Sequence, residues 1–471
     1  MTAAEPEWPM PHTGGAPPAD TPAQRAEWGR ARRARVPRSS LGDWSPAPNR
    51  RDPVAILADQ EASRVPELVP IRHARMSASP FAFYRGAAAV FAADLGGRPT
   101  TGLEVQLCGD AHLANFGIFA SPERQLVFDL NDFDETHPGP FEWDLARLAA
   151  SFEIAARSNG FDERARSRVQ RYLARTYCRA MAEFAEAGYL EVWYSHLTTA
   201  DIEARWGDQL PKASMERFHR LLRKARSKNN LRAFNKLVAE VGGEPRFVSD
   251  PPLLERVEEV LSTFEHREVA SLVRHSLGSY AKSLQPDRRL VLHRYRFADL
   301  ARKVVGVGSV GTRCWVALLV GRDSGDPLLL QVKEAEASVL EPALGASRWP
   351  THGQRVVEGQ RLIQSASDIF LGWHQARGGD GRLHDYYFRQ LWDGKGSANI
   401  DAMEPEMMAV YAEACGHTLA RAHARTGDPA ALSGYLGGGK AMAAAMERFS
   451  SAYADQNQRD HAAFVTAVGT P

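Results

Sequence analysis

The chain contains 471 residues, enough for about three domains or for one large two-part enzyme. Its 58 Lys and Arg residues nearly balance its 57 Asp and Glu residues, which argues against a dedicated nucleic-acid binder and against a polybasic membrane protein. The apolar fraction of 44% and the charged fraction of 24% are ordinary for a globular protein, and they exclude collagen-like, fully disordered and coiled-coil chains.

The four cysteines lie far apart and form no C-x-x-C pair, so the sequence encodes neither a disulfide framework nor a zinc knuckle. The apolar runs are much shorter than the ~20 residues that span a bilayer, and the N-terminal region lacks the apolar core of a signal peptide. These features predict a cytoplasmic protein with no membrane partner and no nucleic-acid partner.

Residues 1–50 are rich in Pro, Gly, Ala and Arg and show no sustained hydrophobic period, which predicts a mobile arm. The arm carries a basic stretch made of Arg30, Arg32, Arg33, Arg35 and Arg38. We interpret this stretch as a solvated tail, with a contact to a substrate or a partner as the alternative.

The rest of the chain alternates between helical and strand-like periods. The first predicted elements are helices over 53–95, a strand over 103–107, a hairpin over 118–120 and 126–130, a helix over 143–156 and a helix-rich block over 162–284 that is broken at 242–245. The later ones are two or three strands over 302–332, a helix over 354–367, a strand over 385–391 and helices over 405–425 and 440–455.

Polar side chains cluster at the ends of the predicted strands, in GDAHLANFG at 109–117 and FDLNDFDE at 128–135. A rigid scaffold can aim such side chains into a cleft. A carboxylate and an Asn carbonyl suit Mg²⁺, a hard cation that takes oxygen ligands together with waters and phosphates. Another Asp near the metal can accept a proton from an attacking hydroxyl. The alternative is that these residues cap helices and make turns.

The spacing resembles the catalytic loop and metal-binding motif of the protein-kinase-like fold, especially its aminoglycoside and choline phosphotransferase branch. The likeness rests on Asp110 with Asn115 five positions later, and on the Asp-Phe pair that starts at Asp132. Asp144 matches the Asp that opens a helix and steadies the catalytic loop in that branch. By this resemblance Asp110 is the base, and Asn115 and Asp132 hold Mg²⁺.

The sequence departs from that family pattern in two places. Cys108 stands where the branch usually has a His, and the hairpin is slightly long, so Asp129 and Asp132 both stay candidates for the metal. His112, two positions after Asp110, is a second catalytic candidate. Its alternative role is to brace the loop by hydrogen bonding.

A glycine-rich segment, GVGSVG at 306–311, leads into strand-like residues 314–320 rather than into a helix, which disfavours a dinucleotide-binding turn. A Gly-rich loop between two antiparallel strands is the cover that a kinase places over ATP phosphates, because glycine lets the backbone approach the anion closely. The nucleotide-binding candidates in this loop are Gly306, Gly308, Ser309 and Gly311.

Lys333 follows the apolar run LLLQV at 328–332, the position expected of the strand lysine that contacts nucleotide phosphates. The alternative is a solvated Lys at a strand end. The kinase resemblance also implies a helix glutamate that pairs with this lysine. For that role Glu358 is preferred to Glu334, Glu336 and Glu341.

The order of these motifs is reversed relative to ordinary kinases, in which the Gly-rich loop and the lysine precede the catalytic loop. A circular permutation resolves the order, since permutation is tolerated when chain termini lie close together at the surface. The segment YAEACGHTLARAHAR at 411–425 resembles the helix that normally runs into the catalytic loop. The strand over 386–391 would then be the hinge edge that meets adenine.

These resemblances imply an α+β, helix-rich, two-lobed protein-kinase-like fold with a circularly permuted order of elements. We expect Leu419 and Ala422 to be buried against the hairpin around Asn115. The chain then divides into the arm 1–50, a catalytic-loop hairpin and helical lobe 51–290, a small β-rich nucleotide-binding lobe 291–400 and C-terminal helices 401–471 that complete the helical lobe.

The chain as a whole also resembles an uncharacterised bacterial family, the domain-of-unknown-function family 2252. Phrases that carry this likeness are RVPRSS at 35–40, SPFAFYRGAA at 79–88, ARKVVGVGSVGTR at 301–313 and YADQNQRDHA at 453–462, together with the two polar segments described above. The likeness implies no particular reaction, so the chemistry depends on the kinase-like motifs.

The motifs favour an ATP- and Mg²⁺-dependent phosphotransferase that acts on a hydroxyl or amine acceptor, either a small molecule or a protein side chain. The same fold can instead transfer AMP, or bind a nucleotide without catalysis. A metal-dependent phosphoesterase is a further alternative, built from Asp110, His112, Asp129, Asp132 and His137. Arg85 interrupts an apolar helical stretch. Its side chain could form an inward ion pair, contact a phosphate or lie at the surface, and the sequence does not decide among these.

Overall fold

The computed structural model describes residues 21–227, 230–260, 266–378, 381–391 and 394–469. The fold is mixed α+β with helix predominating, as predicted. An antiparallel six-stranded sheet forms one part of the molecule, and a larger body of helices, to which both ends of the described chain contribute, forms the other.

The helices lie throughout the described chain. In order they are α1 (Pro22–Arg35), α2 (Pro53–Glu61), α3 (Val69–Ser77), α4 (Pro80–Gly86), α5 (Ala88–Leu95), α6 (Glu142–Ser158), α7 (Glu163–Glu186), α8 (Tyr189–Tyr194), α9 (Thr199–Trp206), α10 (Lys212–Arg226), α11 (Asn230–Leu237), α12 (Val257–Val260), α13 (His266–Ala281), α14 (Pro286–Leu292), α15 (Glu341–Leu344), α16 (His352–Ile363), α17 (Pro405–Ala424), α18 (Pro429–Leu436) and α19 (Lys440–Val468). Along the described chain, no helix combines the length and the apolar character that a bilayer crossing requires.

Within the described residues, the strands form four sheets. In chain order they are β1 (Glu104–Leu107), β2 (Phe116–Ala120), β3 (Leu126–Leu130), β4 (His137–Pro140), β5 (Leu197–Thr198), β6 (Val238–Val241), β7 (Glu244–Phe247), β8 (Leu254–Arg256), β9 (Arg296–Lys303), β10 (Cys314–Val320), β11 (Pro327–Ala335), β12 (Gly372–Arg377) and β13 (Leu383–Gln390). The sheet orders are β1-β4, β2-β3-β5, β6-β7 and β12-β13-β11-β10-β9-β8.

One predicted hairpin and one predicted break can be compared with these strands. Strands β2 and β3 pair antiparallel with Phe116 opposite Leu130, which confirms the hairpin predicted over this region. The break predicted at 242–245 within the helix-rich block is the turn of a second hairpin, β6–β7, that sequence periodicity did not predict. Gly242 and Gly243 have positive φ angles there, a conformation that glycine adopts without steric cost.

The six-stranded sheet presents a different environment on each face, because side chains alternate along a strand. On one face, Leu330 and Val332 of β11 pack with Tyr280 of α13. On the other face, Leu329 packs with residues of α11 and β7, and Lys333, four positions further along β11, lies on this same face. The face that carries Lys333 is turned toward the polar loops of the helical body.

Helix α17 lies at the centre of the helical body and is buried along nearly its whole length. It packs against α7 and against β1 and β3. Leu419 and Ala422 are fully buried, as expected. The Tyr411 hydroxyl donates to the carbonyl oxygens of Leu113 and Phe116, at 2.9 and 3.0 Å, so α17 supports the loop that leads into β2.

The structure corrects the prediction that residues 1–50 are a mobile arm. Residues 22–35 form helix α1, which begins with a capping box between Thr21 and Gln24 and packs on α18. The two helices approach so closely that a Cβ atom at Gly29 would lie 1.9 Å from the Ala431 carbonyl oxygen. The amino-acid composition did not reveal this contact, because a glycine allows two helices to pack closely without contributing to a hydrophobic period.

Two arginines of the basic stretch also contact α18. Arg33 and Arg38 each donate a 2.9 Å hydrogen bond to a backbone carbonyl, of Tyr435 and Leu436 respectively, where α18 ends. Cations favour the carbonyl end of a helix because its dipole is negative there. The remainder of the predicted arm, residues 1–20, lies outside the described residues.

Candidate functional site

The first part of the site is the loop that follows β1. Gly109 has a φ of +86°, and a Cβ atom there would lie 2.2 Å from the Glu135 carbonyl oxygen, so the turn requires glycine. The carboxylate of Asp144, in the first turn of α6, accepts hydrogen bonds from the backbone N–H groups of Cys108 at 2.7 Å and Gly109 at 3.0 Å. Asp144 therefore fixes the backbone that presents Asp110.

Asp110 lies against a buried arginine that sequence reasoning did not assign. Its carboxylate accepts a hydrogen bond from Arg147 Nε at 2.8 Å and lies 2.7 Å from Arg147 Nη2. The Arg147 guanidinium also stacks 3.9 Å above the ring of Tyr84. Burial raises the pKa of Asp110, and the Arg147 charge opposes part of that rise. The ion pair holds the carboxylate in one orientation at the edge of the cleft.

His112 lies beside this carboxylate, with Nε2 3.7 Å from Asp110 Oδ2, which is beyond hydrogen-bond distance. The side chain is buried, and its Nδ1 atom has no hydrogen-bond partner among the described residues. Burial, together with the positive charges of Arg85 and Arg147, lowers the pKa of His112 well below its usual value. The imidazole is therefore neutral at pH 7.

Asn115 and Asp132 meet because they stand at the two ends of the β2–β3 hairpin. The Asn131 N–H donates to the Asn115 carbonyl at 2.8 Å, which closes the hairpin at this point. The Asn115 side-chain amide donates to the Asp110 carbonyl at 2.7 Å and leaves its own Oδ1 for another ligand. The Asp132 side chain is 34% exposed and lines the same cavity as Asn115.

These two oxygen donors fit Mg²⁺, which takes one or two carboxylates and completes its coordination with waters and phosphates. Within the residues that the structure describes, no three His, Cys, Asp or Glu side chains form a metal-binding group. The donors that the chain offers to a cation at this point are one amide oxygen, of Asn115, and one carboxylate, of Asp132. Burial and the neighbouring Asp134 carboxylate raise the pKa of Asp132, so a cation at this position would relieve an electrostatic cost.

The second part of the site comes from the six-stranded sheet. Lys333 is paired with Cys314 across β10 and β11 and is almost fully buried. Its Nζ atom lies 2.5 Å from Asp134 Oδ2 and 3.9 Å from Asp132 Oδ1. Burial would lower the pKa of Lys333, but the carboxylates of Asp132 and Asp134 outweigh it and raise the pKa well above the usual value. The sheet lysine is thus in contact with Asp134 and lies near Asp132, although it does not itself line the cavity that these two carboxylates line.

The Gly-rich loop connects β9 to β10, so it lies between two antiparallel strands as predicted. Gly306 and Gly311 have positive φ angles of 67° and 92°. The Ser309 hydroxyl donates to Asp134 Oδ2 at 3.2 Å, and a Cβ atom at Gly308 would lie 3.2 Å from the Arg85 carbonyl oxygen. The tip of the loop therefore closes down onto the carboxylates and onto α4.

Residues of the helical body hold this loop by its backbone carbonyls. Val65 N–H donates to the Gly311 carbonyl at 2.8 Å, and Arg75 donates to the Gly306 carbonyl at 2.5 Å. Arg64 donates to the carbonyl of Val310. The segment that joins α2 to α3, together with α3, is thus a clamp on the Gly-rich loop. Sequence reasoning assigned no role to it.

A cavity of about 130 Å³ lies between these parts. Most of the predicted site residues line it, namely Asp110, His112, Asn115, Asp132, Gly306, Gly308 and Ser309. Further lining side chains include Arg64, Arg85, Asp134 and Glu135. The volume is below the roughly 300–1,000 Å³ of typical ligand pockets. A cavity of this volume matches groups of the size of phosphate.

Asp129, the alternative metal candidate, lies away from this cavity. Its carboxylate is fully buried and forms a 2.6 Å ion pair with Arg421 of α17. The second carboxylate oxygen accepts from the Ser365 N–H and hydroxyl groups at 2.9 and 2.8 Å. In β3, Asp129 is paired with Gly117 rather than placed at the hairpin end. Of the two candidate carboxylates, Asp132 lines the cavity and Asp129 does not.

Glu358 does not pair with Lys333, in contrast to the prediction. It forms a 3.0 Å ion pair with Arg361 on the same helix, α16. The side of α16 that faces the cleft carries Arg355 and Gly359, and a Cβ atom at Gly359 would lie 2.3 Å from Thr136. Asp134 takes the place of a helix glutamate as the partner of Lys333.

Arg355 links α16 to the cleft by its guanidinium. It donates to the backbone carbonyls of Thr136 and Asp134, both at 2.7 Å, and of Glu336 at 2.9 Å. These carbonyls belong to the segments that carry Asp134 and Lys333. The helix is therefore connected to the site through backbone contacts rather than through an ion pair with the lysine.

The carboxylates and histidines of the alternative phosphoesterase site do not all converge. His137 lies on β4, where its Nδ1 atom is 2.7 Å from the Pro138 carbonyl oxygen, and Asp129 is engaged by Arg421. Asp110, His112 and Asp132 share the cavity. The donor set that a two-metal phosphoesterase needs is thus divided between separate regions.

The fold and the cleft define an α+β protein in which a Gly-rich loop and a buried lysine on a six-stranded antiparallel sheet meet a carboxylate-bearing hairpin of a helical body. The sequence profile of DUF2252, a family described as an uncharacterized protein conserved in bacteria, matches residues 64–467, and the chain belongs to this family. No curated protein and no solved structure matches the chain.

Proposed function

We propose that this protein is an ATP- and Mg²⁺-dependent phosphotransferase with a circularly permuted, kinase-like arrangement of its two lobes, acting on a hydroxyl or amine acceptor. The observation that carries the proposal is the ion pair between Lys333 and Asp134, two residues 199 positions apart. It joins the phosphate-covering half of a kinase-type site to the half that bears the base and the metal ligands.

The arrangement of the sheet supports this function. In protein kinases a Gly-rich loop covers the phosphates and the phosphate-binding lysine lies on the third strand. Here the Gly-rich loop joins β9 to β10, and Lys333 lies on β11, the third strand counted from β9. Each of the three pairs antiparallel with its neighbour.

The loop residues suit the chemistry of phosphoryl transfer. Asp110 would accept the proton of the attacking acceptor, and the rise of its pKa by burial brings it closer to the range of an effective base. Arg147 holds the Asp110 carboxylate in place. Asn115 and Asp132 would hold Mg²⁺, which when bound would neutralise negative charge on the phosphates during transfer.

The closed cleft sets a condition on nucleotide binding. A cavity of about 130 Å³ is too small for a whole nucleotide, so the Gly-rich loop must lift before ATP enters. The hydrogen bond from Ser309 to Asp134 would break in that step. The clamp contacts at Gly306 and Gly311 would keep the two ends of the loop in place.

Helix α17 supports the permuted interpretation. It carries His423, whose Nε2 atom lies 3.3 Å from Asp144 Oδ2, beneath the loop that presents Asp110. A helix of this kind would precede the catalytic loop in an ordinary kinase, and here it follows the sheet. The contact from α17 to Asp144 would give the catalytic loop the support that the preceding helix provides in the ordinary chain order.

Calorimetric titration of ATP with and without Mg²⁺, followed by mass detection of transferred groups, tests the proposal. We expect ATP to bind more tightly with Mg²⁺, and Lys333→Met to weaken that binding by roughly 10–100-fold because it removes a charged contact. Lys282→Met, at an exposed lysine outside the cleft, is the matched control and should bind as the wild type does.

Two results would contradict this function. Absence of ATP binding by the full-length wild type, with or without Mg²⁺, would exclude an ATP-dependent function. If ATP binds and AMP is transferred instead of phosphate, the kinase-like arrangement is retained as a proposal and the phosphotransferase reaction is rejected.

A further inference from the structure

Arg85 is the cleft arginine that the site described so far does not use. It lies in α4 and lines the cavity that contains Asp110 and Asp132. Within the described chain, its buried Nε atom has no hydrogen-bond partner, and no hydrogen bond or ion pair engages its guanidinium. A guanidinium carries five N–H donors and stays charged at neutral pH, so the Arg85 side chain can still donate hydrogen bonds to an anionic ligand.

The neighbouring arginines differ from Arg85 in this respect. Each has at least one guanidinium nitrogen bound to a carboxylate or to a backbone carbonyl, which accounts for its position structurally. These pairs are Arg64 with Val310, Arg72 with Glu61, Arg75 with Gly306 and Arg147 with Asp110.

Packing does not account for the position of Arg85 either. Its guanidinium carbon lies 6.0 Å from the centroid of the Phe81 ring, at the outer limit of a cation–π contact. Burial lowers the pKa of Arg85, which means that the folded chain bears a desolvation cost there, partly offset by the charges of Asp110, Asp401 and Asp132. A partly buried cation of this kind is stabilised when an anion enters beside it.

The location of Arg85 indicates which anion that is. Its backbone carbonyl oxygen would lie 3.2 Å from a Cβ atom at Gly308, at the tip of the Gly-rich loop, and its side chain lines the same cavity as Asp110. In phosphoryl transfer the migrating group lies between the loop that covers the donor and the base that serves the acceptor. Arg85 stands between these two elements.

We propose that the Arg85 guanidinium binds the terminal phosphate of a nucleoside triphosphate and stabilises it during transfer, an inference that rests on the proposed function. In that step the bond from the terminal phosphorus to the bridging oxygen of the diphosphate breaks, and a bond from the acceptor oxygen or nitrogen to phosphorus forms. The acceptor proton passes to Asp110, and the electron pair of the broken bond leaves with the nucleoside diphosphate. Arg85 neutralises charge on the migrating group without exchanging a proton.

The test compares two probes, a non-hydrolysable ATP analogue and ADP, each titrated calorimetrically with Mg²⁺ into the full-length chain. We expect Arg85→Ala to weaken binding of the ATP analogue by roughly 10–100-fold, since a charge-assisted contact is lost. ADP lacks the terminal phosphate, so its affinity should change by less than about 3-fold. Arg85→Lys keeps the charge without the planar donor fork and should recover part of the affinity for the analogue.

Arg51→Ala is the matched control, because Arg51 forms an exposed ion pair with Asp59 in the same N-terminal region of the fold. It should bind both probes as the wild type does, and thermal unfolding of each variant checks that the fold is kept. Equal weakening of both probes by Arg85→Ala, or no weakening of either, would overturn the role of Arg85 alone. Failure of the wild type to bind either probe would overturn the proposed function and this role together.

Discussion

Asp134 binds Lys333 and Tyr387 at the same time, with its carboxylate oxygens 2.5 Å from the Lys333 ammonium and 2.6 Å from the Tyr387 hydroxyl. Burial would raise the pKa of Asp134, but Lys333 and these hydrogen bonds outweigh it and lower the pKa. Asp134 therefore stays ionised and positions the lysine. Asp132, which lies 3.9 Å from the same ammonium, is left exposed to the cavity.

Replacing the base tests the role of Asp110 directly. We expect Asp110→Asn to lower turnover by ~10²–10⁴-fold while nucleotide affinity changes little, because the base acts on the acceptor proton rather than on ATP. The Asn oxygen can still accept the hydrogen bond from Arg147, which preserves the local packing. Steady-state kinetics combined with calorimetric ATP binding checks both halves of this expectation. A parallel loss of ATP affinity would instead make Asp110 a nucleotide ligand.

Variants of Asp129 and Asp132 can be compared to distinguish a structural carboxylate from a metal ligand. Asp132→Ala should weaken Mg²⁺ and nucleotide binding together, with little change in the free energy of unfolding. Asp129→Asn should leave the Mg²⁺ dependence unchanged, and it should lower the free energy of unfolding by about 3–5 kcal/mol because the buried Arg421 loses its counterion. Urea unfolding and Mg²⁺ titration of both variants measure the contrast. The opposite pattern would move the metal to Asp129.

The meeting of Lys333 with Asp132 could be predicted from sequence because the resemblance to the protein-kinase-like fold implies that the two motifs belong to one site. A Gly-rich loop between strands places the lysine on the next strand, and a hairpin brings Asn115 next to Asp132. The choice between Asp129 and Asp132 could not be made in the same way. Only the strand register shows which of the two stands at the hairpin end.

Side chains whose partners come from distant segments could not be predicted. Arg147 lies within the apolar helical period over 143–156, and nothing in that period indicates an inward ion pair with Asp110. The orientation of α16 about its own axis could not be predicted either, because helical spacing does not say whether Glu358 or Arg355 faces the cleft. The close contact of Gly29 with α18 could not be predicted from the amino-acid composition.

The contacts of α16 predict unequal effects for two of its charged residues. Arg355→Ala removes the donor of three backbone carbonyls, so the free energy of unfolding should fall by about 3 kcal/mol or more and nucleotide affinity should fall with it. Glu358→Ala removes a partly exposed ion pair with Arg361 and should cost at most about 1 kcal/mol. Chemical unfolding and ATP titration compare the two. A larger effect of Glu358→Ala on ATP binding would revive its pairing with Lys333.

Glu135 predicts a pH dependence of stability. Burial raises its pKa to about 7, above the 4.5 of an exposed glutamate, so between these values the folded chain binds more protons than the unfolded chain. Its contribution to stability is therefore complete below about pH 4.5 and is lost as the pH rises through about 7. Glu135→Gln is neutral throughout and can still accept from the Val339 N–H.

The free energy of unfolding of Glu135→Gln, relative to the wild type, should thus increase from pH 5 to pH 8 by up to about 3 kcal/mol. Urea unfolding of both proteins across this range isolates Glu135, because the histidines titrate identically in the two chains. A difference that stays constant with pH would show that Glu135 is ionised in the folded chain throughout the range.

Truncation after residue 400 tests whether the C-terminal helices complete the fold or form a separate module. The cut removes α17, α18 and α19, and with α17 go the hydrogen bonds from Tyr411 to the loop before β2 and the ion pair from Arg421 to Asp129. Lost burial costs ~25 cal/mol per Å² of apolar surface, and a central helix exposes enough to exceed a typical stability of about 5–15 kcal/mol. We expect the 1–400 fragment to lack a cooperative thermal transition and ATP binding. A soluble fragment that melts cooperatively and binds ATP would require the order of elements to be explained without permutation.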